Sequence, residues 1–360
     1  MRRTFALAAV VVTLVVGARL AAATSSSASP GARCRLGEIG TSRTVGADTV
    51  RCERRQGRRI WVAIPNAGAT TPVKPTTGTT PATTRSLQNG AVTMSFGGSQ
   101  RRYVLHVPPT ASDRPSPLVV VLHGGLGSAA QAENSYRWDE LADRVGAVIA
   151  YPEGTSAAIG HAWNAGICCG PPAQQGVDDV GFIDNMIGDL LRSGHIDATR
   201  IYATGISNGA MLSYRLACDR PGRFAAIGPV AGTITSDCPS PSPISVLHIH
   251  GLADQNVTMD GSISKGLAKQ TRTPVQESID RFRSAAKCPD ASTRSDGAVT
   301  YQRAACSNGI DVDLITIAGA GHQWPGSVPA TGAAASLVDP PSNALDATGE
   351  LWSFFERHHR

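Results

Sequence analysis

Arg200-Ile201-Tyr202-Ala203-Thr204-Gly205-Ile206-Ser207-Asn208-Gly209 is the stretch on which the reading of this chain turns. Arg200 to Ala203 reads as a short strand, and the residues after Gly209 read as an apolar helix. Between them stands G-x-S-x-G. At a strand-to-helix turn this pattern puts the serine on a tight bend, where small residues on either side avoid a steric clash. Glycine and serine are common, so the pentapeptide alone is weak; its position directly after a strand gives it weight.

A serine hydroxyl is a poor nucleophile at neutral pH and needs a base that is itself oriented by an acid. His250-Gly251-Leu252-Ala253-Asp254 follows a strand ending at Ile249, and Gly319-Ala320-Gly321-His322 follows one ending at Ile317. Each lies just past the carboxyl end of its own strand, where open α/β sheets gather their sites. Ser207 is therefore expected as nucleophile, Asp254 as acid and His322 as base, in the chain order of α/β-hydrolases. Asp260 and Asp313 are the next carboxylates to consider.

The oxyanion of such a reaction needs two N–H donors. The expected ones are the Asn208 backbone and the loop His123-Gly124-Gly125-Leu126-Gly127, through Gly125 or Leu126. Gly125 to Ala130 also loosely fits a G-x-G-x-x-A dinucleotide fingerprint. The same loop completes the serine site and an exported chain has little access to nucleotides, so no cofactor is expected. Trp324, two residues from His322, is expected to wall the ester pocket, with Trp163 and His123 as further substrate-side residues; His123 is read as fixing the oxyanion loop, not as a proton carrier. Asp178 and Asp179 precede a helix and read as caps. His248 and His250 alternate on a strand but lack a third ligand, so no metal is expected.

Working outward, Pro117 to Leu122 is a continuous β-branched run of the kind covered on both faces of a sheet. Strand-like runs recur at residues 147–151, 225–230, 244–249 and 312–317. Helical spacing separates them, as in Phe182, Met186, Leu190 and Leu191 or Leu351, Phe354 and Phe355. This alternation predicts an α/β fold with a mostly parallel sheet between helices over residues 86–360.

Ahead of that domain, Arg2 and Arg3, an apolar run from Phe5 to Ala18 and Ala21 to Ala23 have the order of a secretory signal, expected to span residues 1–23. A bilayer crossing needs about 20 apolar residues, more than this run supplies. A spacer at 24–33, a small cysteine-paired β module at 34–64 around Trp61, and a Thr/Pro-rich linker at 65–85 complete the expected organisation. Eight cysteines in an exported chain read as disulfides. Cys34 is expected to pair with Cys52, and Cys288 with Cys306. Cys168, Cys169, Cys218 and Cys238 allow three pairings, and we expect the first two to be joined to the last two. The chain of 360 residues is 41% hydrophobic, enough for a large core. Its charge of +5 is N-terminal, because residues 65–360 carry 22 basic against 25 acidic groups. A body of that sign is a poor nucleic-acid binder.

Residues 86–360 resemble the secreted esterases that include polyhydroxybutyrate depolymerases, feruloyl esterases and acetylxylan esterases. The resemblance rests on His123-Gly124-Gly125, Trp163-Asn164-Ala165-Gly166 with Cys168-Cys169-Gly170, Val177-Asp178-Asp179-Val180-Gly181-Phe182, Tyr202 to Gly209, and Gly321-His322-Gln323-Trp324-Pro325-Gly326. It implies the same triad, Ser207, Asp254 and His322, and does not select the ester. The chain is thus expected to be a secreted serine esterase with an ester substrate, no nucleic-acid partner, no membrane span after signal removal, and cell-wall contact through the N-terminal module. An exported serine peptidase and a cell-wall-associated binding protein that has lost turnover are the competing readings.

Overall fold

The computed structural model describes residues 42–45, 48–55, 58–64, 86–109, 111, 114–157, 160–265, 269, 271–330 and 338–360. The expected signal peptide, spacer and linker lie outside the described residues, as does Cys34. The chain divides into two compact units between Thr80 and Pro81. In the first, β1 (Ser42–Val45), β2 (Asp48–Arg55) and β3 (Arg58–Ile64) form an antiparallel sheet. Cys52 faces Trp61 across β2 and β3, and both are buried with Val50. A unit this small gains little from apolar burial alone, and Cys52 is disulfide-bonded, as so small a fold requires.

In the second unit, β4 (Gly90–Phe96) and β5 (Ser99–His106) lead into β6 (Ser116–Leu122), α1 (Ala129–Ser135), α2 (Trp138–Val145) and β7 (Val148–Pro152). A short hairpin, β8 (Thr155–Ser156) and β9 (His161–Ala162), precedes α3 (Gly170–Gln174), α4 (Asp179–Leu191), β10 (Ile196–Ile206), α5 (Asn208–Asp219) and β11 (Ala226–Val230). Then come β12 (Ser245–Gly251), α6 (Val275–Ala285), β13 (Ser292–Asp296), β14 (Val299–Arg303), β15 (Val312–Ile317) and α7 (Ala347–Phe355).

Among the described residues, ten of these strands make one sheet in the order β13-β14-β15-β12-β11-β10-β6-β7-β5-β4. The six from β15 to β7 are mutually parallel, and the two at each edge run antiparallel. All seven residues of β6 are buried. Leu118, Val120 and Leu122 enter one apolar cluster with α4, α5 and α6, while Val119 and Val121 enter the other with α1, α2 and α7. Fully burying each such side chain is worth about 1.5–3 kcal/mol, so the central strands anchor both layers. This is the mostly parallel sheet between two helical layers that the alternation predicts.

Two expectations need correction. Asp178 does cap α4, its Oδ1 accepting from Gly181 N–H at 2.8 Å. Asp179 does not: it is fully buried, 2.7 Å from Arg101 Nη2, and accepts from Asn164 N–H at 2.8 Å. Burial lifts its carboxyl above the ordinary range and Arg101 pulls the other way. The cysteine pairing also differs. Cys218, in the last turn of α5, has its Cα 5.9 Å from that of Cys238, within ordinary disulfide reach, and these two are joined. Cys168 and Cys169 are left to each other and are bonded as neighbours; Cys288 pairs with Cys306 as expected. Closing the loop between Cys218 and Cys238, 20 residues apart, should stabilise the fold by about 3 kcal/mol. The double variant Cys218→Ala/Cys238→Ala is expected to lose that amount in urea unfolding; an unchanged midpoint would show that the bridge does not constrain the unfolded chain.

Candidate active site

Ser207 links β10 to α5 with φ 56° and ψ −121°, a strained conformation for a residue with a side chain. The flanking glycines are there for space. A Cβ on Gly205 would lie 2.5 Å from the Leu122 carbonyl oxygen, and one on Gly209 would press on the Leu122 and His123 carbonyls. The end of β6 therefore crosses directly against the turn, which lifts Ser207 at the carboxyl edge of the sheet.

The oxyanion loop leaves β6 at the same edge. A Cβ on Gly124 would come within 3.6 Å of Ser207 Cβ, and one on Gly125 within 3.6 Å of Asn208 Cβ. Asn208 is the first residue of α5, so its N–H has no carbonyl one turn back to bond. Among the described residues the Gly125 N–H also has no partner. Leu126 is different, and this corrects the expectation for it: its N–H donates to the His161 carbonyl at 2.8 Å and is spent on holding β9. Gly127 completes a bridge to His161.

Behind the loop, His123 is fully buried. Gly154 N–H donates to its Nε2 at 3.0 Å, so Nδ1 carries the hydrogen and donates to the Gly124 carbonyl at 2.7 Å. Burial, foremost, lowers its pKa from 6.5 to about 4, and the ring is neutral at neutral pH. Trp163 donates from Nε1 to the His123 carbonyl at 2.9 Å, with its ring 4.7 Å from the imidazole. The Asn208 side chain clamps the Trp163 backbone from both sides, accepting its N–H at 2.7 Å and donating to its carbonyl at 3.1 Å. Sequence reasoning singled out the Asn208 backbone and missed this role of the amide.

The acid and base loops are tied by backbone. Leu252 N–H donates to the Ile317 carbonyl and Ala253 N–H to that of Ala320, both at 2.9 Å. Across this join Asp254 Oδ2 lies 2.7 Å from His322 Nδ1. Its Oδ1 accepts from Asn256 and Val257 N–H, each at 2.8 Å. Burial alone would raise the Asp254 carboxyl, but the His322 hydrogen bond and the neighbouring donors outweigh it and hold the group below its ordinary value. Asp339, absent from the sequence reading, accepts the His322 N–H at 2.6 Å; a lone Asp beyond the base carries no signal in the sequence. A cavity of about 700 Å³ borders these loops, lined by Asn256, Lys265, Gly321 and Asp339 among others.

Three of the sequence expectations are not brought into an open pocket. Trp324 is 2% exposed, stacked on Tyr136 at 4.6 Å, and donates to Thr348 Oγ1 at 3.1 Å, so it is a core aromatic and not a pocket wall. Trp163 and His123, both fully buried, shape the site from behind. The substitute carboxylates are also elsewhere. Asp260 accepts from Ser262 N–H at 3.0 Å, and Asp313 from Ala304 N–H at 3.0 Å.

Asp313 offers a separate test. Burial raises its pKa from 3.8 to about 6. The folded carboxyl thus keeps a proton that the unfolded chain releases, which favours the fold below the unfolded value and disfavours it once pH passes the folded one. Asp313→Asn keeps an acceptor for Ala304 and is expected to stabilise the protein by about 3 kcal/mol near pH 8, with the gain shrinking below about 1 kcal/mol near pH 4. Urea midpoints at the two pH values check this, and an equal gain at both would refute the linkage.

Fold and site together define an α/β-hydrolase. Residues 101–264 match the esterase PHB depolymerase family. The chain is 31% identical over 254 residues to a protein named "Putative esterase NocK" from Nocardia uniformis subsp. tsuyamanensis, covering 64% of this chain and 72% of that one. It is 29% identical over 222 residues to feruloyl esterase B of Piromyces equi, covering 58% of this chain but 40% of that longer protein. Among solved structures, acetyl xylan esterase from Aspergillus awamori superposes with a TM-score of 0.50 at 15% identity, over 71% of this chain and 94% of that one, a likeness of fold. The chain belongs to the esterase PHB depolymerase family, which places it among carboxylic ester hydrolases.

Proposed function

We propose that the protein is a secreted serine esterase that cleaves carboxylic esters through an acyl-enzyme. The observation that carries this reading is the strained Ser207 turn at the head of α5 on the same sheet edge as the Asp254–His322 pair, 2.7 Å apart. Asp254 accepts from His322 Nδ1–H, which leaves Nε2 as the base for the Ser207 hydroxyl. Attack of Oγ on the ester carbonyl forms a tetrahedral oxyanion facing the N–H groups of Asn208 and Gly125. Collapse expels the alcohol, protonated by His322, and water repeats the sequence to release the acid. Losing one oxyanion donor costs about 100- to 1000-fold in such sites.

The substrate class is hydroxycinnamoyl or acetyl esters of polysaccharides, or polyhydroxyalkanoate-type polyesters. Feruloyl and acetylxylan esters are the substrates named for similar proteins. The apolar N-terminal run supports export, and the basic residues 34–64 suit contact with an anionic cell wall. Purified protein should hydrolyse short-chain aryl esters and take up one serine-directed phosphonate, on Ser207. Neither turnover nor labelling would favour the binding-protein reading, and peptide cleavage without ester cleavage the peptidase. Profiling on feruloylated sugars, acetylated xylan and hydroxybutyrate oligomers then separates the esters.

A further inference from the structure

Behind Asp254 lies a polar array that the proposed chemistry does not use. His248 and His250 point to one side of β12, with ring centroids 5.2 Å apart and planes at 11°. Tyr214 Oη, from α5, lies 2.7 Å from His248 Nδ1, and His248 Nε2 lies 2.9 Å from His250 Nδ1. His250 Nε2 lies 2.8 Å from the Val257 carbonyl oxygen and 3.5 Å from Asp254 Oδ2. Tyr214, His248 and His250 are at most 1% exposed, so none of these atoms has bulk water as an alternative partner.

Only one direction of donation satisfies every member. A carbonyl oxygen can only accept, so His250 Nε2 must carry a hydrogen. Burial lowers the pKa of both imidazoles, and each ring is neutral with a single N–H. His250 Nδ1 must then accept, which makes His248 Nε2 a donor and His248 Nδ1 an acceptor, and Tyr214 supplies the O–H to it. The chain of donors runs from α5 to the acid loop. Its last N–H fastens the Val257 carbonyl, and the N–H of the same residue holds Asp254 Oδ1 at 2.8 Å.

We propose that Tyr214, His248 and His250 form a one-way hydrogen-bond relay that positions Asp254, closing the 254–257 turn and aiming an N–H dipole at the carboxylate. The inference rests on Asp254 orienting the base. If the order of donation reversed, the His250 Nε2 lone pair would face the Val257 carbonyl and the Asp254 carboxylate, an arrangement with two repulsive contacts in a buried site. The Val257 carbonyl sets the direction, and Tyr214 completes it, because its hydroxyl supplies the hydrogen that His248 Nδ1 must accept at the start of the chain. Its ring is held separately, against Phe282 at 5.6 Å.

The test joins a spectroscopic and a kinetic measurement on the full chain. With imidazole-labelled protein, nitrogen NMR should find both His248 and His250 protonated at Nε2. Tyr214→Phe should lower kcat about tenfold with KM within about twofold, since a misplaced acid loop affects the reacting geometry more than binding. A Nδ1–H tautomer at His250 in the unaltered protein overturns the relay, and this measurement stands even where Tyr214→Phe fails to fold. Unchanged kcat and tautomers in a folded Tyr214→Phe, with only lower stability, would reduce Tyr214 to packing and also overturn it. Where Asp254→Asn is inactive and Tyr214→Phe is not impaired, the relay alone falls; where Asp254→Asn retains turnover, the triad assignment itself fails.

Discussion

Ser207→Ala is expected to lower kcat/KM for an aryl ester by at least about a thousandfold while leaving the fold intact. The hydroxyl makes no capping hydrogen bond to α5, so its removal costs the helix no partner. Alanine at φ 56° bears the same backbone strain as serine, and the glycines that accommodate the turn are untouched. Circular dichroism and melting temperature should therefore match the unaltered protein within about 2 °C. The residual rate reports what the oxyanion donors and binding contribute without a nucleophile. Retention of more than a few per cent of activity would point to another nucleophile.

Asp254→Asn is the second large effect, with kcat expected to fall about ten-thousandfold and KM to stay within a few-fold. The amide oxygen can still serve the Asn256 and Val257 N–H groups, so the turn survives. Facing His322 Nδ1, however, the amide nitrogen would present N–H to N–H, and the ring would turn over to the tautomer whose Nε2 already holds a hydrogen. The negative charge that stabilises the imidazolium is lost as well. Pre-steady-state kinetics should show slow acylation without weaker saturation. Near-normal turnover would require another carboxylate at the base, and neither Asp260 nor Asp313 is engaged there.

The central strands were legible because burial on both faces leaves a continuous apolar run, as in Val119-Val120-Val121. The strand edges were not. β13 is Ser292-Thr293-Arg294-Ser295-Asp296 with every residue exposed, and a strand that buries nothing leaves no hydrophobic pattern to read. The site divides in the same way. Ser207, Asp254 and His322 are local events at strand ends, so a candidate triad is legible from order alone, and the Asp254–His322 hydrogen bond supports that reading. Trp324 looked like a pocket wall because it is near His322 in sequence, yet burial is decided by Tyr136 and Thr348, which are remote along the chain. Leu126 looked like an oxyanion donor for the same reason, and its N–H is taken by a hairpin that starts about thirty residues later and that no motif announces. The cysteine pairing was undetermined until the end of α5 was set beside Cys238.

The seating of β15 beside β12 has a consequence for how the protein comes to life. Ser207 and Asp254 belong to segments made earlier, whereas His322 is delivered only when β15 has been synthesised and has found its slot between β12 and β14. If Ser207, Asp254 and His322 act as proposed, a nascent chain can thus own a bent serine and its acid partner and still be chemically silent. On the proposed triad, no complete catalytic set exists before β15 has docked, so the recovery of ester cleavage during refolding is expected to follow that event and never to precede it.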